Sequence, residues 1–139
     1  MEQSSKVGLL SCSGECRASG TLARVATRLV RDEYRPDRAI TLCLPLFLAG
    51  GEEERAFARE QPTLTIDGCA KQCARIATER LSGPVAGSLV VEAEMDLPQS
   101  LSRREPSGDD LQWARRLAER IAATLDGVLR NSAPGQAEG

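Results

Sequence analysis

The sequence predicts an α/β fold: a single-domain three-layer sandwich with a four-stranded, mostly parallel sheet in the order 2-1-3-4. Helices cover both faces, and a further helix is added at the C-terminal end. Three observations lead there. A chain of 139 residues has the size of one ordinary domain. Short apolar runs rich in β-branched residues alternate with segments of helical periodicity, which is the pattern of a parallel sheet with helices on its faces. The strand runs are continuously apolar rather than alternating, as strands buried on both faces require. Right-handed crossovers leave few topologies for such a chain, and half of a doubly wound fold gives the order 2-1-3-4.

Taken in order, Lys6 to Ser11 is the first strand, and it runs into the small, polar stretch Cys12 to Cys16. From Thr21 to Val30, Leu22, Val25, Ala26, Leu29 and Val30 recur at helical spacing, with Ser19 as the expected N-cap. Asp32 to Asp37, with Pro36, reads as a turn before a second strand, Ala39 to Leu44. Pro45 to Gly51 connects to a short helix opened by Glu52, Glu53 and Glu54, acids that a helix N-terminus favours, and closed before Pro62. Thr63 to Asp67 is the third strand, broken by Gly68, and Cys69 to Leu81 the helix after it. Ser88 to Ala93 follows the Gly83-Pro84 turn as the fourth strand.

Residues 1–95 therefore form the α/β unit, and 96–108, with two prolines and several serines, read as a linker. Residues 109–130 form the final helix, which Ser107 and Asp110 open in the manner of a capping box. Its stripe of Leu111, Ala114, Leu117, Ile121, Leu125 and Val128 is expected to pack on the domain, the alternative being a homodimer contact. Residues 131–139 read as a disordered tail.

Composition narrows the function. The residues are 41% hydrophobic and only 3% aromatic, so the core must be mostly Leu, Ile, Val and Ala. A formal net charge of −2 lacks the basic footprint of a nucleic-acid binder. No run approaches the roughly 18 apolar residues of a membrane span. Leu9-Leu10-Ser11-Cys12 imitates a lipoprotein cleavage box, but the apolar stretch before Cys12 begins only at Val7, short of a signal's region of about 7–15 residues. The expectation is a cytoplasmic protein, in a compartment that keeps thiols reduced.

Five reduced cysteines then need an explanation, because a free Cys is ordinarily a small buried hydrophobe. Cys12, Cys43 and Cys69 fall at the ends of the first three strands, which share one edge of a parallel sheet, the edge where open α/β sheets bind ligands. Cys16 and Cys73 lie four residues beyond Cys12 and Cys69, near the following helices, where they can face the same point. With no His in the chain, such a group of thiolates suits Zn²⁺ or, alternatively, an iron–sulfur cluster. Helix N-termini, Arg17, Lys71 and Arg75 are candidates to offset the negative charge. The Cys-x-x-x-Cys spacing by itself pairs Cys12 with Cys16 and Cys69 with Cys73. Ser13, Glu15, Pro45 and Phe47 are placed by position to line a substrate pocket at that edge.

The stretch Ile66-Asp67-Gly68-Cys69-Ala70-Lys71-Gln72-Cys73-Ala74 closely resembles the signature of the DGC-domain family, described as zinc-binding proteins. Cys12-Ser13-Gly14 resembles the family's first motif and the surroundings of Cys43 its middle one. The resemblance spans about Val7 to Val91 and leaves out the final helix. It implies Cys12, Cys43, Cys69 and Cys73 as the zinc ligands, with Cys16 a departure, and it implies no established reaction. Gly68 is expected to permit an abrupt turn, with Gly14 doing the same in the first loop, and Asp67 either to cap the next helix or to accept hydrogen bonds around the metal ligands rather than to ligate directly.

Two other chemistries use the same residues. A phosphate loop of the small phosphatases and arsenate reductases is Cys-x₅-Arg between a strand and a helix, with backbone N–H groups around the anion. Cys12 to Arg17 is one residue short of it, and Cys69 to Arg75 has the count but Ile76 in place of a hydroxyl residue. Thiol redox or sulfur-transfer chemistry is the other, since cysteines at helix N-termini have lowered pKa values.

Overall fold

A computed structural model describes residues 6–14 and 16–131. Its four strands are β1 (Val7–Ser11), β2 (Ala39–Leu42), β3 (Thr63–Asp67) and β4 (Gly87–Val90). They pair in the order β2-β1-β3-β4, and every pairing is parallel. The order follows from the chain crossing to β2 on one side of β1 and to β3 on the other, so the switch point lies between β1 and β3. Leu9, Leu10 and Ser11 of the would-be lipoprotein box lie in the central strand β1, with both leucines wholly buried.

Each face carries its own core. On one side Val7, Leu9, Leu64, Ile66 and Leu89 pack under α1 (Ala18–Leu29) and the last helix, with Leu22, Ala26, Leu117, Ile121 and Leu125 among the buried partners. On the other, Leu10 packs with Leu44 and Phe47 of α2 (Leu44–Leu48), Ala58 of α3 (Glu52–Glu60), and Ala74 and Ala77 of α4 (Cys73–Leu81). The period of two along β1 divides Leu9 from Leu10 between these cores. The short α5 (Val91–Glu94) continues directly from β4, and α6 (Leu111–Asn131) closes the first face.

Several elements differ from expectation for identifiable reasons. Helix α1 begins at Ala18; Arg17 takes the N-cap position without a side-chain cap, while Ser19 sits in the first turn and donates its hydroxyl to Glu92. The helix runs on through a π-helical turn, Val30–Tyr34, into the segment whose composition reads as a turn. Strand β2 stops at Leu42 rather than Leu44, and Leu44–Leu48 coils into α2 across the expected strand end and connection, with Pro45 in its first turn, a position where the missing N–H costs nothing. Strand β4 stops at Val90 rather than Ala93, and α4 begins at Cys73 rather than Cys69, with Gln72 at its N-cap.

The capping box before α6 does not form. Ser107 makes no side-chain cap bond, and a 3₁₀ turn, Gly108–Asp110, leads into the helix instead. The stripe of α6 is buried inside this chain's own core, from Ala114 through Val128. Burial of each large aliphatic side chain there contributes roughly 1.5–3 kcal/mol. Of the expected tail, Asn131 ends α6 and the rest lies outside the described residues. Among the described residues no helix is long and apolar enough to cross a membrane.

A thiol cleft at the sheet switch point

Beyond the C-terminal ends of β1 and β3 lies a cleft of about 260 Å³ lined by Cys12, Cys16, Cys69 and Cys73, together with Asp67 and Lys71. It occupies the switch point of the sheet, where the chains leaving β1 and β3 part and leave a crevice. Cys12 and Cys69 are half-buried in it, and Cys16 and Cys73 are exposed at its rim.

The first wall is the turn after β1. Cys12 is held in register by its own N–H, which donates to the Ile66 carbonyl of β3 at 3.1 Å. Gly14 adopts φ +77, a left-handed conformation that glycine takes without steric cost. A methyl group there would also stand 2.5 Å from the Gly20 carbonyl oxygen. The Thr21 hydroxyl lies 3.3 Å from the Gly14 carbonyl and donates to the closer Arg103 carbonyl at 2.6 Å.

The second wall is the turn after β3. Gly68 packs against the first turn of α1 so closely that a Cβ would lie 2.5 Å from the Gly20 nitrogen. Gln72 is in the left-handed region with φ 54, and it offers no side-chain cap to α4. Asp67 supplies that cap from inside the strand: its carboxylate accepts the N–H groups of Ala74 at 2.8 Å and Arg75 at 3.2 Å. The side chain is almost fully buried. Burial pushes its pKa above the ordinary carboxylate value, and the two N–H donors offset part of that rise.

The electrostatics of Cys12 are the sum of opposed effects. Burial raises its thiol pKa most, the backbone N–H of Gly68 lowers it, the Asp67 charge raises it, the N–H of Gly14 lowers it, and Cys73 adds a further rise. The net direction is upward, with burial the largest cause.

Four of the five cysteines thus share the cleft, and the structure does not bring Cys43 to it. Cys43 is an exposed residue at the N-cap of α2, following β2. Strand β2 flanks β1 on the side away from β3, and Cys43 does not line the crevice. Of the expected pocket residues, Ser13 lines the cleft, Pro45 does not, and Phe47 is fully buried in the second core. Glu15 lies outside the described residues. Arg17 lines the cleft but is paired with Glu92 at 3.2 Å, and Arg75 is turned to Glu79 at 3.2 Å. Sequence does not single out Gly20, Ser19 or Glu92 for this site. The signal that could have pointed to close backbone packing there is a glycine inside a helix.

The model of the DGC domain matches residues 8–122. The chain belongs to the DGC-domain family. The match extends past the Val7–Val91 span of the motifs and takes in the first half of α6, in keeping with the burial of Leu117 and Ile121 in the core beneath it. No curated protein and no solved structure matches this DGC domain. Among the described residues no three His, Cys, Asp or Glu side chains stand close enough together, as they are turned here, to hold a metal ion. The donor chemistry of the cleft nevertheless fits a thiophilic metal, with four thiols on one crevice and two of them exposed at the rim.

Proposed function

We propose that this DGC domain binds zinc through cysteine thiolates of the cleft, in a reducing compartment such as the cytoplasm. The observation that carries the reading is the convergence of Cys12, Cys16, Cys69 and Cys73 on one crevice at the switch point. An all-sulfur donor set without His suits tetrahedral Zn²⁺, and unpaired cysteines suit a reducing compartment. Coordination requires deprotonated thiols and releases their protons. The exposed Cys16 and Cys73 side chains would turn inward to complete the set. Cys69 and Cys12 would form its floor.

Two features weigh against a phosphate loop. The amides of Ala74 and Arg75, which an oxyanion would need, are taken by Asp67. The guanidinium groups of Arg17 and Arg75 are directed to Glu92 and Glu79.

Metal analysis of protein purified without chelator is expected to give about one zinc per chain, as a single four-thiolate site implies, in a colourless preparation. A brown preparation with sulfide-dependent absorption would make an iron–sulfur cluster the cargo. Protein free of both metals overturns the reading in favour of thiol chemistry. The ligand set is tested in the same assay. Cys16→Ser is expected to lose zinc and Cys43→Ser to keep it, whereas the opposite result supports the set that the family motifs imply.

A further inference from the structure

Glu92 touches both walls of the cleft from outside. It stands where β4 turns into α5. Its backbone N–H donates to the Gly68 carbonyl at 3.1 Å, one residue before Cys69. Its carboxylate accepts the Ser19 hydroxyl at 2.8 Å and the Arg17 guanidinium at 3.2 Å, the latter one residue after Cys16. The N-terminus of α1 has no acid in its first turn and no side-chain cap of its own, so Glu92 supplies from a distance the negative charge that a helix N-terminus favours. The sequence motifs of the family signature do not include this residue.

We propose that Glu92 is a positioning residue of the thiol cleft, strapping the Cys16-bearing turn to the Cys69-bearing turn and thereby setting the affinity for the metal. The proposal rests on the zinc reading above. Both cysteines sit on turns, and Cys16 in particular is exposed. A strap that fixes their neighbours lowers the ordering that coordination must impose, and partners that orient ligands in this way typically change metal affinity by about 10–100-fold.

The test is a zinc competition titration with a chromophoric chelator, read together with the absorption spectrum of the cobalt(II)-substituted protein. Glu92→Ala is expected to weaken zinc binding about tenfold and to alter the cobalt ligand-field bands. Glu92→Gln, which keeps an acceptor for Ser19 and loses only the charge, is expected to stay within about threefold of the parent, the size of one exposed ion pair. Glu94→Ala breaks a comparable surface pair with Arg120 outside the cleft lining, and it is expected to change neither readout. Ser19→Ala leaves Glu92 in place but removes its shortest contact, and it is expected to weaken zinc several-fold. Parent-like affinity and spectrum in Glu92→Ala, or in Ser19→Ala should the first variant not fold, overturn the proposal alone. A parent protein that takes up no metal overturns the zinc reading and this proposal together.

Discussion

After β1 the chain sets Cys12 and Cys16 four residues apart, and after β3 it repeats the spacing with Cys69 and Cys73. The two turns are nevertheless built differently. In the second, the helix begins at Cys73 itself, and its N-terminus is held by Asp67 from the preceding strand, only seven residues away. In the first, the helix begins two residues after Cys16, and its N-terminus is held by Glu92, 73 residues beyond Ser19. One turn is fixed by a local, buried carboxylate and the other by a remote, partly exposed one. The same cysteine spacing thus yields a turn whose helix is capped locally and a turn whose helix is held from the far side of the domain.

The contact where the two turns meet gives the largest expected effect. Gly68→Ala would drive a methyl group into the backbone of Gly20, 2.5 Å from its nitrogen and 2.7 Å from its Cα. No flexible side chain can yield there, so urea unfolding should show a loss of about 3 kcal/mol, the upper range for overpacking. Gly83→Ala meets nothing within 4 Å and should change stability by less than about 0.5 kcal/mol. A Gly68→Ala protein as stable as the parent would mean the two turns are not pressed together.

Next in size is the local cap. Asp67→Ala strands the N–H groups of Ala74 and Arg75, and it should cost about 1–3 kcal/mol. Asp67→Asn keeps one acceptor and should cost less. The pH dependence gives a second check. The folded pKa of Asp67 is raised, so the folded state holds the proton more tightly than the unfolded chain does. Its contribution to stability must therefore fall as pH rises from the ordinary carboxylate value through the folded one. The difference between parent and Asp67→Asn, followed by urea titrations across that window, should carry this slope.

The smallest effect lies away from the cleft, where a carboxylate meets a guanidinium instead of amides. Arg35 binds Asp126 of α6 through two contacts, 2.9 and 2.7 Å. The Arg35 hydrogen bond lowers the Asp126 pKa, so this contribution is present above the ordinary carboxylate range and is lost as pH falls through the lowered value. Both side chains are about a third exposed. Solvent screening then limits the loss in Asp126→Asn to less than about 1 kcal/mol near neutral pH. A thermal melt should show it vanish in acid, with a slope opposite in sign to that of Asp67.

The sheet is legible in the sequence because a doubly covered strand must be apolar along its length, and the pattern bounds Thr63–Asp67 to the residue. What sequence misses is decided by contacts between distant residues. The apolar run from Ser88 to Ala93 continues as a strand by pattern alone, yet β4 ends at Val90, where Glu92 is drawn to Gly68 and Ser19. The pattern starts α4 four residues early, because the amides that define its first turn are capped by a residue belonging to a strand. Strand-end positions for the cysteines follow from the sequence. Which of them share a crevice depends on the side of β1 from which each strand arrives, and that reaches across the whole fold.

The two cores close on different schedules as the chain leaves the ribosome. The face under α2, α3 and α4 is complete by Leu81, since every element covering it is a near neighbour in sequence. The opposite face waits for α6, whose Leu117, Ile121 and Leu125 join the core under α1 only after the whole stretch from Leu81 to Leu111 has emerged. At about 5–20 residues per second of synthesis, the nascent domain spends seconds with that aliphatic face covered by α1 and not yet by α6, and with all five thiols already made. Aggregation of chains truncated before Leu111 is the vulnerability this order of assembly creates.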